Sequence, residues 1–242
     1  MTVCLVTQPS SPITRVLLSL GEPSVIVTEQ PAQIREQLSG LTYPNRFGRA
    51  LLLALLEVVG DHGFSQLMER VGLPYDRAQL PPDDMERGFD FAVLAALNQA
   101  LDAAYGERGG RGMALRAGRA WLVKGLNRFG ALSGIDDPAF RTLPADERVR
   151  IALKALASIF THFTDQYTEL EDTPTRFNFV VEVSPLAWGI SAEKPVCQAL
   201  VGLLQETARW AANGREYVVR EVECKATGGS RCVLAVSKQA GD

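Results

Sequence analysis

Three of the chain's four cysteines, Cys197, Cys224 and Cys232, fall within residues 195–236, and no other feature restricts the fold as tightly. Cys197 opens a segment in which Leu200, Val201, Leu204, Ala208 and Ala211 share one helical face, which puts the cysteine in the first turn of a helix. Asn213-Gly214 stops that helix. The next run, REYVVREVEC, is rich in valine and reads as a strand, and ATGGS supplies a hairpin turn into a second strand, RCVLAV. Cys224 and Cys232 therefore flank a hairpin, and a helix start packed over it brings Cys197 to the same place. Three thiolates need a fourth ligand for a closed tetrahedral zinc site, and Glu221, three residues before Cys224, offers an oxygen. Two plainer readings stand beside this one. The cysteines serve as small buried hydrophobes, or Cys224 and Cys232 form a hairpin disulfide in an oxidising compartment.

Cys197, Gly202, the run Glu221-Val222-Glu223-Cys224-Lys225-Ala226-Thr227-Gly228 and Cys232 together resemble the C-terminal signature of the 4-vinyl reductase domain family. That family includes a protein of bacteriochlorophyll synthesis associated with 8-vinyl reduction, and the sensor domains of phenol-responsive transcription activators. By match of spacing, the resemblance implies a structural zinc held by Cys197, Glu221, Cys224 and Cys232. It spans residues 41–238, with the specific motif confined to the C-terminal run. The resemblance also implies a pocket for a small hydrophobic molecule, aromatic or tetrapyrrole-like, and a homodimer. Two other functions follow from it: participation in reducing a vinyl group on a bacteriochlorophyll precursor, and a dimeric adaptor similar to vesicle-tethering subunits. Vinyl reduction would need an electron donor for which the sequence carries no motif.

Composition narrows the setting. With 242 residues, 46% hydrophobic and 22% charged, the chain suits one main soluble core. Its net charge of -3 leaves no basic excess to neutralise phosphates, so nucleic acid is not an expected partner. No uninterrupted apolar run reaches the ~18 residues of a membrane span, and the N-terminus lacks a charged segment followed by a long apolar one. A cytoplasmic protein is expected, in which thiols stay reduced and available to a metal.

The N-terminal residues 1–40 hold short strand-like runs and form an extension to the main domain, 41–238. Within that domain the periodicity predicts a helical hairpin broken at Gly60, a helix starting at Asp83-Asp84 and running to Tyr105, a break at GERGGRG, and another helix bearing Ala114, Ala117, Gly118 and Gly125. A further helix begins at Pro144, TRFNFVVEV reads as a half-buried strand, and the acidic Glu169, Glu171 and Asp172 read as a turn. The expected fold is α+β, with helices on one face of an antiparallel sheet and the C-terminal helix and hairpin tied by zinc. His162, Phe177, Phe179 and Trp188 are the expected pocket lining, a few polar groups among aromatic walls. GERGGRG lacks the Gly-Lys-Ser/Thr of a phosphate loop, no dinucleotide fingerprint occurs, and no residue sits in a nucleophile motif, so no catalytic residue is assigned.

Overall fold

The structure, a computed structural model, describes residues 38–129 and 138–240, so the expected N-terminal extension lies outside the described residues except for its last three positions. In chain order the elements are β1 (Thr42–Pro44), α1 (Asn45–Val71), β2 (Arg87–Asp90), α2 (Phe91–Phe129), α3 (Pro138–Thr142), α4 (Ala145–Phe163), β3 (Thr168–Asp172), β4 (Arg176–Val181), α5 (Gln198–Ala211), β5 (Tyr217–Glu223) and β6 (Cys232–Ala240). The five helices and two antiparallel sheets make an α+β fold. β1 pairs with β2, and the larger sheet runs β3-β4-β6-β5.

Three local expectations are corrected. GERGGRG does not break the chain into a loop: only Gly106 leaves helical geometry, at φ 70° and ψ 159°, and α2 kinks there and continues to Phe129. A single glycine in a left-handed conformation redirects a helix without unwinding its neighbours. Asp83 and Asp84 do not cap a helix; they bind the start of α1, where Asp83 takes Arg46 and Asp84 accepts from the Asn45 amide group. The acidic TELED is strand β3 rather than a turn, and its charges are tolerated because Glu169 and Glu171 pair with positions on the face of β4 opposite Phe179.

Register places the functional residues. Phe177, Phe179 and Val181 lie opposite Val236, Leu234 and Cys232, so the ligand candidate Cys232 shares its sheet face with the buried phenylalanines. That face carries rings into the helical layer, where Phe160 of α4 meets Phe179 edge to face at 6.5 Å.

The start of α5 is fixed by an unusually close helix crossing. A Cβ on Gly118 of α2 would stand 1.9 Å from the carbonyl oxygen of Ala199, and one on Gly202 of α5 would stand 1.9 Å from that of Leu115. Only paired glycines let the two backbones touch in this way, and the contact lies within two turns of Cys197. By length and composition α1 is the one described helix that would pass for a membrane span, yet Leu52, Ala54, Leu55 and Phe64 are packed in the core and Gly60 kinks it.

Candidate metal centre and apolar cleft

Cys197 is the N-cap of α5, Glu221 lies near the end of β5, Cys224 follows that strand and Cys232 opens β6. One irregularity brings them onto one side. Glu221 pairs with Leu234, but Glu223 pairs with Val233, which leaves Val222 as an extra residue in β5. In a regular strand, residues 221 and 224 would point to opposite faces; the bulge resets the alternation so that both turn inward. Val222 is pushed out and is 51% exposed.

The four donor atoms lie within 4.8 Å of one another, with all three cysteines buried. Cys197 Sγ is 3.7 Å from Cys232 Sγ, which is 4.0 Å from Cys224 Sγ. No sulfur pair is at the ~2.0 Å of a covalent bond, and the three cysteines are free, so the hairpin disulfide does not form. Glu221 Oε2 accepts the Cys197 N–H at 2.8 Å, whereas Oε1 is buried with no hydrogen-bond partner. Desolvation pushes the Glu221 carboxyl up to about 8, reinforced by Cys224 beside it. Hydrogen bonding with Cys224 and Cys232, then burial, drives the Cys197 thiol well above its usual range. Four acids crowded into low dielectric resist ionising together unless a cation joins them.

A second feature lies in the helical layer. Helices α1, α2, α4 and α5 leave an apolar cleft with about 70 Å³ open to the centre of a water molecule, walled by Phe47, Trp121, Leu156, Phe160, Leu203 and Trp210. Thr207 also lines it, but its hydroxyl donates to the Leu203 carbonyl at 2.7 Å and is not left over for a guest. Behind the wall, Tyr43 is wholly buried among Phe47, Phe91, Trp121 and Phe160.

The four residues expected to wall a pocket do not line this cleft. His162 is exposed, with Nδ1 2.7 Å from the Ser158 carbonyl oxygen of its own helix. Phe177 is buried beneath the Lys238 ammonium, 4.7 Å from its ring centre. Phe179 stands one ring behind the cleft, against Phe160, and Trp188 is half-buried in the loop after β4. The cleft residues missed in the sequence had one signal: on α4, Ala152, Ala155, Leu156 and Ile159 widen the apolar stripe beyond what packing on a sheet requires.

Residues 177–238 match the family model of the 4-vinyl reductase domain. No curated protein matches the chain. Among solved structures, the phenol-responsive sensory domain of the transcription activator PoxR with phenol is 19% identical over 75% of this chain and 88% of that one, at a TM-score of 0.45. An H-NOX structure from work on the mechanism of H-NOX activation is 12% identical over 83% of this chain and 98% of its own, at 0.52. The H-NOX protein from S. oneidensis in the Fe(II)NO ligation state is 15% identical, with coverages of 80% and 99%, at 0.50. At these identities the H-NOX likenesses are likenesses of fold.

Proposed function

We propose, for a chain whose residues 177–238 belong to the 4-vinyl reductase domain family that its cysteine signature resembles, that residues 41–238 form one unit binding a small hydrophobic ligand and braced by a structural zinc. The observation that carries the ligand reading is the cleft between the helices, which is walled by aromatic and aliphatic side chains while its only hydroxyl is bonded internally. Such a site rewards apolar contact and offers no compensation to a guest's polar groups. Its size favours one ring. About 70 Å³ is half of the ~150 Å³ of an engineered cavity that holds benzene, so a single aromatic ring enters with one edge in the open mouth. A tetrapyrrole would require the helices to part. Both histidines, His62 and His162, are exposed and outside the cleft, which argues against a histidine-ligated haem there.

Zinc is supported by the donor set and its spacing. Three thiolates and a carboxylate suit a closed, four-coordinate site, and a tetrahedron of ~2.3 Å Zn–S bonds has sulfur edges of about 3.8 Å. The sulfur separations of 3.7 and 4.0 Å bracket that edge. The unpartnered Glu221 Oε1 supplies the remaining donor. Bound zinc would neutralise part of the buried negative charge and tie α5 to the hairpin, a bracing role rather than a chemical one.

Titrating the full chain with toluene while following Trp121 and Trp210 fluorescence tests the ligand reading. A saturable change is expected in the wild type, and Ala155→Leu, which fills the cleft from α4, should lower affinity at least ten-fold while leaving the circular dichroism unchanged. Equal binding by this variant, or no saturable signal in the wild type, would remove the cleft from consideration.

A further inference from the structure

A fully ionised donor set of three thiolates and one carboxylate around a divalent cation carries a net charge of -2 in a buried place. Such a charge is tolerated only where hydrogen-bond donors face the sulfurs. Two are present outside the four ligands. The Lys225 backbone N–H points at Cys232 Sγ over 3.4 Å, and the hydroxyl of Ser184 lies 3.3 Å from Cys197 Sγ. Ser184 is 2% exposed, sits in the turn after β4, and finds in that sulfur the only hydrogen-bond partner for its side chain among the described residues. Its backbone is held separately, through the Ala187 N–H donated to the Ser184 carbonyl. A serine hydroxyl buried this deeply against one atom is there for that atom or for space.

We infer that Ser184 is a positioning residue of the metal centre, whose hydroxyl donates to the metal-bound Cys197 thiolate and slows release of the ion. The direction of the bond follows from the chemistry. A free thiol could donate to the hydroxyl, but a metal-bound thiolate has no proton, so the hydroxyl becomes the donor and takes up part of the charge on sulfur. The same bond fixes the Cys197 side chain at the N-terminus of α5, where the Glu221 carboxylate already holds its N–H. Cys197 thus has its backbone secured by one ligand and its sulfur by a residue that is not a ligand.

This inference rests on the zinc reading, and the experiment separates the two. The full chain, as wild type, Ser184→Ala and Ser184→Thr, is loaded with Zn²⁺ or with Co²⁺. Two quantities are read: the rate of zinc transfer to a chromophoric chelator, and the position of the thiolate-to-cobalt charge-transfer band. Losing the hydrogen bond raises the energy of the sulfur lone pair, so Ser184→Ala should move the band to longer wavelength and speed zinc release by about ten-fold, the lower end of effects from such supporting partners. Ser184→Thr keeps the hydroxyl and should retain the wild-type band even if its methyl group lowers the melting temperature. A cavity alone would change melting and leave the band in place. If Ser184→Ala does not fold, Ser184→Cys, a weaker donor of similar size, should still show a displaced band. A band and a release rate indistinguishable from wild type in a folded Ala or Cys variant overturn the inference while leaving the zinc site standing. A wild-type chain that takes up no metal overturns both.

Discussion

Glu221 holds two positions at once: its Oε2 secures the Cys197 N–H, and its Oε1 is buried without a partner. Without a cation the carboxyl prefers to keep its proton up to about 8, chiefly because it is desolvated. The sign of the consequence is fixed by linkage. A carboxyl whose folded pKa exceeds its unfolded value of ~4.3 favours the folded state fully below that value, and the contribution is lost as pH rises through about 8. Urea unfolding of the chelator-stripped chain should therefore show midpoints that fall between pH 5 and pH 8.5, with other groups held in common between the two forms. The zinc-loaded chain should lack that decline, because a metal-bound carboxylate no longer titrates there. Parallel pH profiles with and without zinc would show that Glu221 is not a ligand.

Between elements, the site depends on two features that differ in how readable they are. The cysteine and glutamate identities are visible in the sequence, as is the hairpin, because valine-rich runs around ATGGS have few alternatives. The bulge at Val222 is not visible, since no residue there demands it; pairing with β6 creates it, and only the finished sheet shows why Glu221 and Cys224 face the same way. Strand β3 was hidden by its acidic composition, and the cleft by the assumption that aromatic residues on a sheet mark a pocket rather than its backing. Gly118 was legible as a place for close approach, although its partner Gly202 on α5 emerges only from the crossing. That crossing gives a paired prediction. Gly202→Ala drives a methyl into the Leu115 carbonyl and should cost roughly 1–3 kcal/mol in urea unfolding, as overpacking does, while also speeding zinc loss by displacing Cys197. Gly112→Ala, on the exposed part of α2 with nothing within 4 Å of the new Cβ, should instead stabilise by about 0.4–1 kcal/mol. Equal and small effects at both positions would mean that the helices separate more freely than their contact implies.

Across the whole molecule, α5 joins the two candidate sites. It begins at Cys197, among the metal donors, and carries Leu203, Thr207 and Trp210 along the cleft. Its middle is clamped on α2 at Gly202, so a shift at its N-terminus is transmitted as a rigid rotation about that crossing. Removing zinc leaves Cys197 held by the Glu221 hydrogen bond and by packing, and the orientation of Trp210 and Leu203 becomes less restricted. Binding a ring in the cleft then has to restore that order, which weakens apparent affinity. Toluene titrations of the proposed cleft should accordingly give a dissociation constant several-fold higher after chelation than before, within the ~5–150-fold range of ordinary coupling energies. Reciprocity requires the converse by the same factor: saturating toluene must tighten zinc by as much as zinc tightens toluene. Measuring both arms on one preparation makes the test internally controlled. Unequal factors would point to chelator binding or partial unfolding, which circular dichroism would reveal. Two factors of one in a folded chain would show that α5 pivots without disturbing the cleft, and that the zinc braces the hairpin alone.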